Sequence, residues 1–136
     1  MQRLRHIPAA DWEELFQVVA AMDEGDWEVC SGGSPLSASG TVGIPYAVYS
    51  SRVEKILEFF RTNLMVPFPW SEWLREHPDM CESAAISNSD PADVVRLITA
   101  VIRSERFNEG TIATATSSGA LRAVVERLRR WHLTGT

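Results

Sequence analysis

The sequence has few cysteines and no long apolar run. Its two cysteines, Cys30 and Cys81, cannot form a disulfide framework in a chain of 136 residues, and two free thiols in a reducing cytoplasm are the simplest interpretation. No window approaches the roughly 18 consecutive apolar residues of a membrane span. The N-terminal stretch before Asp11 carries arginines and a histidine but no apolar core, which argues against a secretory signal. These absences predict a cytoplasmic protein without a membrane segment.

Lysine is also nearly absent, since only Lys55 among the 13 basic residues is not arginine. Such a bias is typical of a GC-rich genome rather than of selected guanidinium sites. The net charge of −5 disfavours nucleic acid at long range. A basic stripe of Arg122, Arg127, Arg129 and Arg130 could contact phosphates, but cations near a helix C-terminus also offset its dipole. Nucleic acid is therefore not the partner that we expect.

Motifs of common enzyme and metal sites are missing as well. Neither cysteine has a histidine in a recognised catalytic arrangement, and there is no G-x-S-x-G segment. Gly32-Gly33 lacks the Lys-Ser/Thr of a phosphate-binding loop. His77 and Cys81 could be ligands, but Pro78 breaks the helix that would align them. We predict no metal, no cofactor and no catalytic residue. The missing motifs favour a protein that is not an enzyme, although they do not decide the matter.

What is present is the composition of one globular domain, with 45% hydrophobic and 23% charged residues. Apolar residues at helical spacing predict about five helices. The helices are expected over 10–23, 51–64, 71–77, 90–104 and 119–131, with a further short one over 111–115. Alternation predicts strands over 27–30 and 44–49. The capping signals are Ser51 with Glu54, and Asp90 followed by Pro91. Residues 78–89 are predicted to be a surface connection.

The predicted fold class is α+β and mostly α, with a single layer of helices around one core and one short two-stranded β element. Residues 1–9 are predicted to be an N-terminal extension, residues 10–131 the single globular domain, and residues 132–136 a tail. The Ser/Gly-rich residues 31–43 are expected to form a flexible loop within the domain.

Two segments resemble those of a known family. Residues 45–50, Pro-Tyr-Ala-Val-Tyr-Ser, have the form P-[FY]-x-x-Y-S, and residues 103–110, Arg-Ser-Glu-Arg-Phe-Asn-Glu-Gly, have the form R-x-E-R-F-x-x-G. Gly119-Ala120-Leu121 and residues 126–128, Glu-Arg-Leu, follow. In this order the segments resemble an uncharacterised bacterial family of unknown function over most of residues 10–131. The resemblance implies the fold outline and the two motifs, and it implies no activity.

The second motif lies at a predicted helix junction and has two interpretations. The candidate polar site consists of Tyr49, Glu105, Arg106 and Glu109. In the functional interpretation, Arg106 binds an anion or carboxylate and Glu109 acts as acid, base or acceptor. In the structural one, Phe107 plugs the core, Glu105 and Arg106 bond helix-end groups, and Gly110 allows an unusual backbone angle. Polar residues at helix junctions are more often caps than catalysts, which favours the structural interpretation.

An aromatic group, Phe68, Trp70 and Trp73, lies beside two prolines. Buried, it would be a satellite of the core, and exposed, it would bind a partner. We expect a small binding or regulatory module with a protein partner. The alternatives are an accessory protein of a phage or mobile element that inhibits a host defence complex, and a small enzyme using Arg106 and Glu109. The sequence leaves the oligomeric state open.

Overall fold

A computed structural model describes residues 2–32 and 46–135. These residues form eight α-helical segments and one pair of short strands. The helices are α1 (Gln2–Arg5), α2 (Ala9–Ala20), α3 (Ser51–Asn63), α4 (Trp70–Glu76), α5 (Ser83–Ser87), α6 (Pro91–Ser104), α7 (Thr111–Ser117) and α8 (Ala120–Thr134). A 3₁₀ turn, Glu24–Trp27, precedes the antiparallel strands β1 (Cys30–Gly32) and β2 (Tyr46–Val48). Within these ranges, no helix has the length and apolar character needed to cross a membrane.

The prediction of a mostly helical fold with one short strand pair is confirmed, but five helices are too few. The helices that sequence patterns missed are short. In particular, α5 occupies part of the stretch predicted to be a surface connection. In that stretch Ile86 is fully buried, and Met80, which precedes α5, is almost fully buried. Five residues with a single large apolar side chain carry no periodicity, so no pattern could have shown this helix.

The first strand also begins later than predicted. Trp27 ends the 3₁₀ turn, and pairing starts only at Cys30. Asp23 and Asp26 hold the turn through a reciprocal capping box, in which each carboxylate accepts a hydrogen bond from the other's amide. Residues 31 and 32 belong to β1, and the rest of the loop predicted over 31–43 lies outside the described residues.

One hydrophobic core joins all the longer helices. Its largest fully buried side chains are Leu4, Trp12, Val53, Ile56, Leu57, Phe60, Leu64, Ile86, Val94, Leu97, Val125 and Leu128. Trp12 of α2 lies against Trp131 of α8, with ring centroids 5.6 Å apart. The segment before residue 10, predicted to be an extension, contributes Leu4 and Ile7 to this core. The Trp12 indole N–H also donates to the Leu4 carbonyl at 3.3 Å.

Local signals explain where the two central helices begin. The Asp90 carboxylate accepts from the Ala92 amide at 2.8 Å and Pro91 opens α6, as predicted. The cap of α3 is one residue earlier than the expected capping box. Ser50 has an extended backbone, and its hydroxyl accepts from the Val53 amide at 3.2 Å.

A buried hydroxyl fixes the chain between α3 and α4. Thr99 of α6 donates to the carbonyl of Leu64 at 3.2 Å and accepts from the amide of Val66 at 3.1 Å. Because Thr99 is fully buried, both backbone groups would otherwise lack a partner away from water. The hydroxyl therefore sets the path by which the proline-rich segment reaches α4.

Most of the basic stripe on α8 is used inside the molecule. Arg122 pairs with Glu24 at 2.8 Å and also with Glu126. Arg127 is buried, and its Nε donates to the carbonyl of Ser89 at 2.8 Å. Burial lowers the pKa of the Arg127 guanidinium. Arg130 likewise donates to a carbonyl of α5. These arginines thus connect α8 to its neighbours.

Candidate functional site

The candidate polar motif forms the corner between α6 and α7. Past the end of α6, the amides of Phe107 and Asn108 both donate to the carbonyl of Ser104, at 2.9 and 2.8 Å. The chain therefore keeps a nearly helical course for one more turn. It then reverses at Gly110, whose φ of +97° lies in the region that glycine adopts without strain. The backbone angle that the structural interpretation required of this glycine is present.

Glu105 caps α7 across this corner. Its Oε2 accepts hydrogen bonds from the amides of Gly110 at 2.6 Å and Thr111 at 3.3 Å. The first amides of a helix have no partner within it, and a carboxylate there also interacts favourably with the helix dipole. The Thr111 hydroxyl closes the turn by donating to the Asn108 carbonyl at 2.7 Å.

Arg106 and Phe107 point away from the protein. Phe107 is 74% exposed, so the prediction that it plugs the core is wrong. The reason is the helical course of the corner, which buries Ser104 and turns Phe107 outward, while Ile112 fills the core at this level. Arg106 is exposed, and its guanidinium makes no hydrogen bond or ion pair with any described residue, so this side chain does not hold the helix ends.

The other members of the candidate polar site line one open groove of about 590 Å³. Tyr49, Glu105 and Glu109 all contribute to its wall, whereas Arg106 does not. Arg61, in the last turn of α3, supplies the cation instead. The apolar part of the lining consists of Val29, Ala47, Ile112 and Ala113. No sequence signal separates Arg61 from the other surface arginines, because only the tertiary fold brings it to the groove.

The surroundings of Tyr49 in the groove favour its protonated form. Partial burial raises the pKa of its phenol, and the carboxylates of Glu105 and Glu54 raise it further, against the opposing effect of Arg61. The protonated phenol can donate one hydrogen bond and accept another. Over the described parts of the chain, no three His, Cys, Asp or Glu side chains are grouped so as to hold a metal ion.

A second surface lies on the other side of the corner, and we call it the aromatic surface. Its members are Phe68, Trp70, Trp73, His77 and Phe107. Trp70 and Phe107 stack with ring centroids 6.1 Å apart and planes at 22°. Phe68 meets Trp73 edge-on at 6.0 Å, and His77 stacks on Trp73 at 4.5 Å. Sequence analysis identified the first three rings and missed Phe107 and His77, which are brought there by the corner and by the end of α4.

The three predicted aromatic residues are neither fully buried nor fully exposed. Phe68, Trp70 and Trp73 are half-buried, and Trp73 packs against the core. Trp70 instead stacks on Phe107, and this ring pair forms an apolar projection on the protein surface.

Residues 7–134 match the model of a family of unknown function, DUF6508. The chain belongs to this family. The resemblance to a domain-of-unknown-function family is thereby confirmed, over a range that includes both segments on which it was based. No curated protein and no solved structure matches the chain. Membership of DUF6508 assigns no reaction, so any proposal must come from the geometry.

Proposed function

We propose that the protein is a protein-binding module that uses the aromatic surface to contact its partner. The observation that carries this proposal is the stacked pair of Trp70 and Phe107, in which Phe107 is 74% exposed. Tryptophan and other aromatic side chains are enriched at the centres of protein interfaces, where they supply much of the binding energy. A phenylalanine kept in water next to a second ring is suited to such a role.

The rings are also held in place before any partner arrives. Trp70 begins α4, which packs on α6, and Thr99 fixes the segment that leads to it. Phe107 lies in the corner that Glu105 and Gly110 hold together. Binding through fixed rings costs less conformational entropy than binding through flexible side chains.

The alternative of an enzyme has weaker support. It requires Arg106 and Glu109 to act together, whereas Arg106 lies outside the groove that contains Glu109 and Tyr49. An accessory protein of a phage or mobile element, blocking a host complex in a bacterial cytoplasm, remains a form of the binding proposal. Such a protein would use the aromatic surface to occupy its target.

The test compares the parent with Phe107→Ala and Leu133→Ala. Leu133 is a matched control because it is also a highly exposed apolar side chain, at 69%, and it lies in the last turn of α8 rather than in the corner. Each immobilised protein is incubated with lysate of the source cells. Candidates that are retained by the parent are then purified, and their affinity for the three proteins is measured directly.

We expect a partner that binds the parent and Leu133→Ala alike and binds Phe107→Ala at least about tenfold more weakly. Phe107→Ala should keep its fold, since loss of one exposed aromatic pair costs only about 0.5–1.5 kcal/mol. A purified partner whose affinity is unaffected by Phe107→Ala, or the absence of any partner, would rule out the aromatic surface as the contact site.

A further inference from the structure

The corner between α6 and α7 separates its charges onto two sides. The helical course continues from residue 103 to 107, so side chains there are spaced by about 100° around the axis. Ser104 is buried, and Glu105 turns to the groove. Arg106, Arg103 and Phe107 then fall next to one another on the remaining side, with Arg103 and Phe107 four residues apart.

The two acidic side chains of the corner do not neutralise these arginines. The carboxylate of Glu105 is bound to the first amides of α7, and Glu109 lines the groove with it. Arg103 and Arg106 are exposed, and their guanidinium groups make no hydrogen bond or ion pair within the described ranges of the chain. The helical spacing thus places two exposed guanidinium groups beside Phe107, and neither is paired with another described residue.

We propose that the occupant of the aromatic surface is an acidic peptide segment with an apolar or aromatic anchor residue. The anchor packs on Phe107 and Trp70, and carboxylates beside it pair with Arg103 and Arg106, since the planar guanidinium matches a carboxylate in geometry. This inference rests on the proposed function, because it assigns the chemistry of the partner to the same surface.

A short acidic segment fits this surface better than a nucleic acid does. Stacking on aromatic rings and contact with arginines would also suit a single strand. However, a nucleic-acid strand carries a phosphate at every nucleotide, so its negative charge extends beyond the two arginines. There it meets the surface of a protein whose net charge is −5. A peptide can limit its negative charge to the residues beside the anchor.

The test uses defined probes and nuclear magnetic resonance of the labelled full-length chain. The probes are the peptide Glu-Asp-Leu-Phe-Asp-Glu, the same peptide with Gln and Asn for its acids, the same peptide with Ala-Ala for Leu-Phe, and an oligothymidylate of similar length. The protein variants are Phe107→Ala and the double variant Arg103→Gln/Arg106→Gln. Leu133→Ala and Arg129→Gln are controls that remove the same chemistry from exposed positions on α8.

We expect the acidic anchored peptide to shift the Trp70 indole and Phe107 amide signals and to bind at least about tenfold more tightly than either altered peptide. Phe107→Ala and the double arginine variant should each weaken binding of this peptide severalfold, and added salt should weaken it further. The two control variants should bind the peptide as the parent does.

Equal binding of the acidic and neutral peptides would overturn the inference, as would tighter binding of the oligothymidylate or no binding at all. These outcomes are separable from failure of the proposed function. If a purified partner still depends on Phe107, the protein-binding proposal stands and only the acidic character of the partner is lost. If neither the peptides nor any cellular partner depends on Phe107, both fail.

Discussion

The carboxylate of Glu105 lies 2.6 Å from the amide nitrogen of Gly110, so the end of α6 caps the beginning of α7. The side chain of the adjacent residue, Arg106, is exposed and has no partner among the described residues. Consecutive residues of one motif thus do different things, because the turn points one side chain into the corner and the next into solvent. The structural and functional interpretations of the motif hold for different members of it.

This division predicts different costs of substitution at the two positions. Glu105→Ala should lower the free energy of unfolding by about 1–2 kcal/mol, because it leaves the Gly110 amide without its acceptor and the Thr111 amide with only the Asn108 carbonyl. Arg106→Ala should change it by less than about 0.5 kcal/mol. Thermal unfolding measures both, since ~1 kcal/mol shifts the melting temperature of a domain of this size by several degrees. Equal losses would show that Arg106 also holds the corner together.

The arginines of α8 should divide in the same way. Arg127→Ala removes a buried side chain and leaves the carbonyl of Ser89 without its donor. We expect a loss of about 2–3 kcal/mol in urea unfolding, from lost packing and an unpaired carbonyl. Arg129→Ala, two residues away and exposed, should cost less than about 0.5 kcal/mol. If both variants unfold alike, the interhelical role of Arg127 is refuted.

The hydroxyl of Thr99 should contribute more to the stability of the fold than its methyl group does. Thr99→Val keeps the shape but leaves Leu64 O and Val66 N unpaired, which should cost about 1–3 kcal/mol. Thr99→Ser keeps the hydroxyl and should reduce the stability less, because it removes only one buried methyl group. Chemical denaturation of the two variants decides the point, and Thr99→Ser being the less stable of the two would contradict it.

The pair of Asp26 and Arg52 predicts a dependence on pH. The Asp23 amide, and then the Arg52 guanidinium at 2.9 Å, hold the pKa of the Asp26 carboxyl below its ordinary 3.8. A carboxyl with a lowered folded-state pKa stabilises the fold above its unfolded-state pKa, and this contribution is lost as the pH falls through the folded-state value. Asp26→Asn should therefore melt below the parent at pH 7.

The difference in melting temperature between the parent and Asp26→Asn should shrink as the pH falls below about 4. It should vanish once the Asp26 carboxyl is protonated in both the folded and the unfolded state. Melting curves of the parent and Asp26→Asn between pH 2 and 7 measure it. Glu28→Gln, at an exposed position nearby that has no ion pair among the described residues, is the control and should follow the parent throughout. A gap between parent and Asp26→Asn that persists unchanged at pH 2 would exclude this linkage.

Sequence patterns recovered the long helices because their signals are local. The helix that starts at Asp90 and Pro91 was predicted almost to the residue, since a cap and an apolar period both mark it. Side-chain direction at the corner was not recoverable. Phe107 is apolar and was assigned to the core, but a carboxylate cap and a left-handed glycine decide its orientation.

The groove shows the same limit more clearly. Tyr49 follows β2, Arg61 ends α3 and Glu109 lies in the corner, so their proximity depends on tertiary packing. A single sequence holds no record of such a contact between distant segments. That is why Tyr49 and Glu109 were selected on motif grounds, while Arg61 was missed and Arg106 was selected in its place.

The contact between Trp12 and Trp131 has a consequence for how the chain folds during synthesis. The ribosome makes α2 early and α8 late, so one face of the Trp12 indole has no neighbour while most of the chain is being made. Contacts between such distant segments slow folding and leave apolar surface open to other proteins in the meantime. The core of this domain can therefore close only after α8 has emerged, and a ribosome stalled before that point would carry a nascent chain that chaperones should recognise.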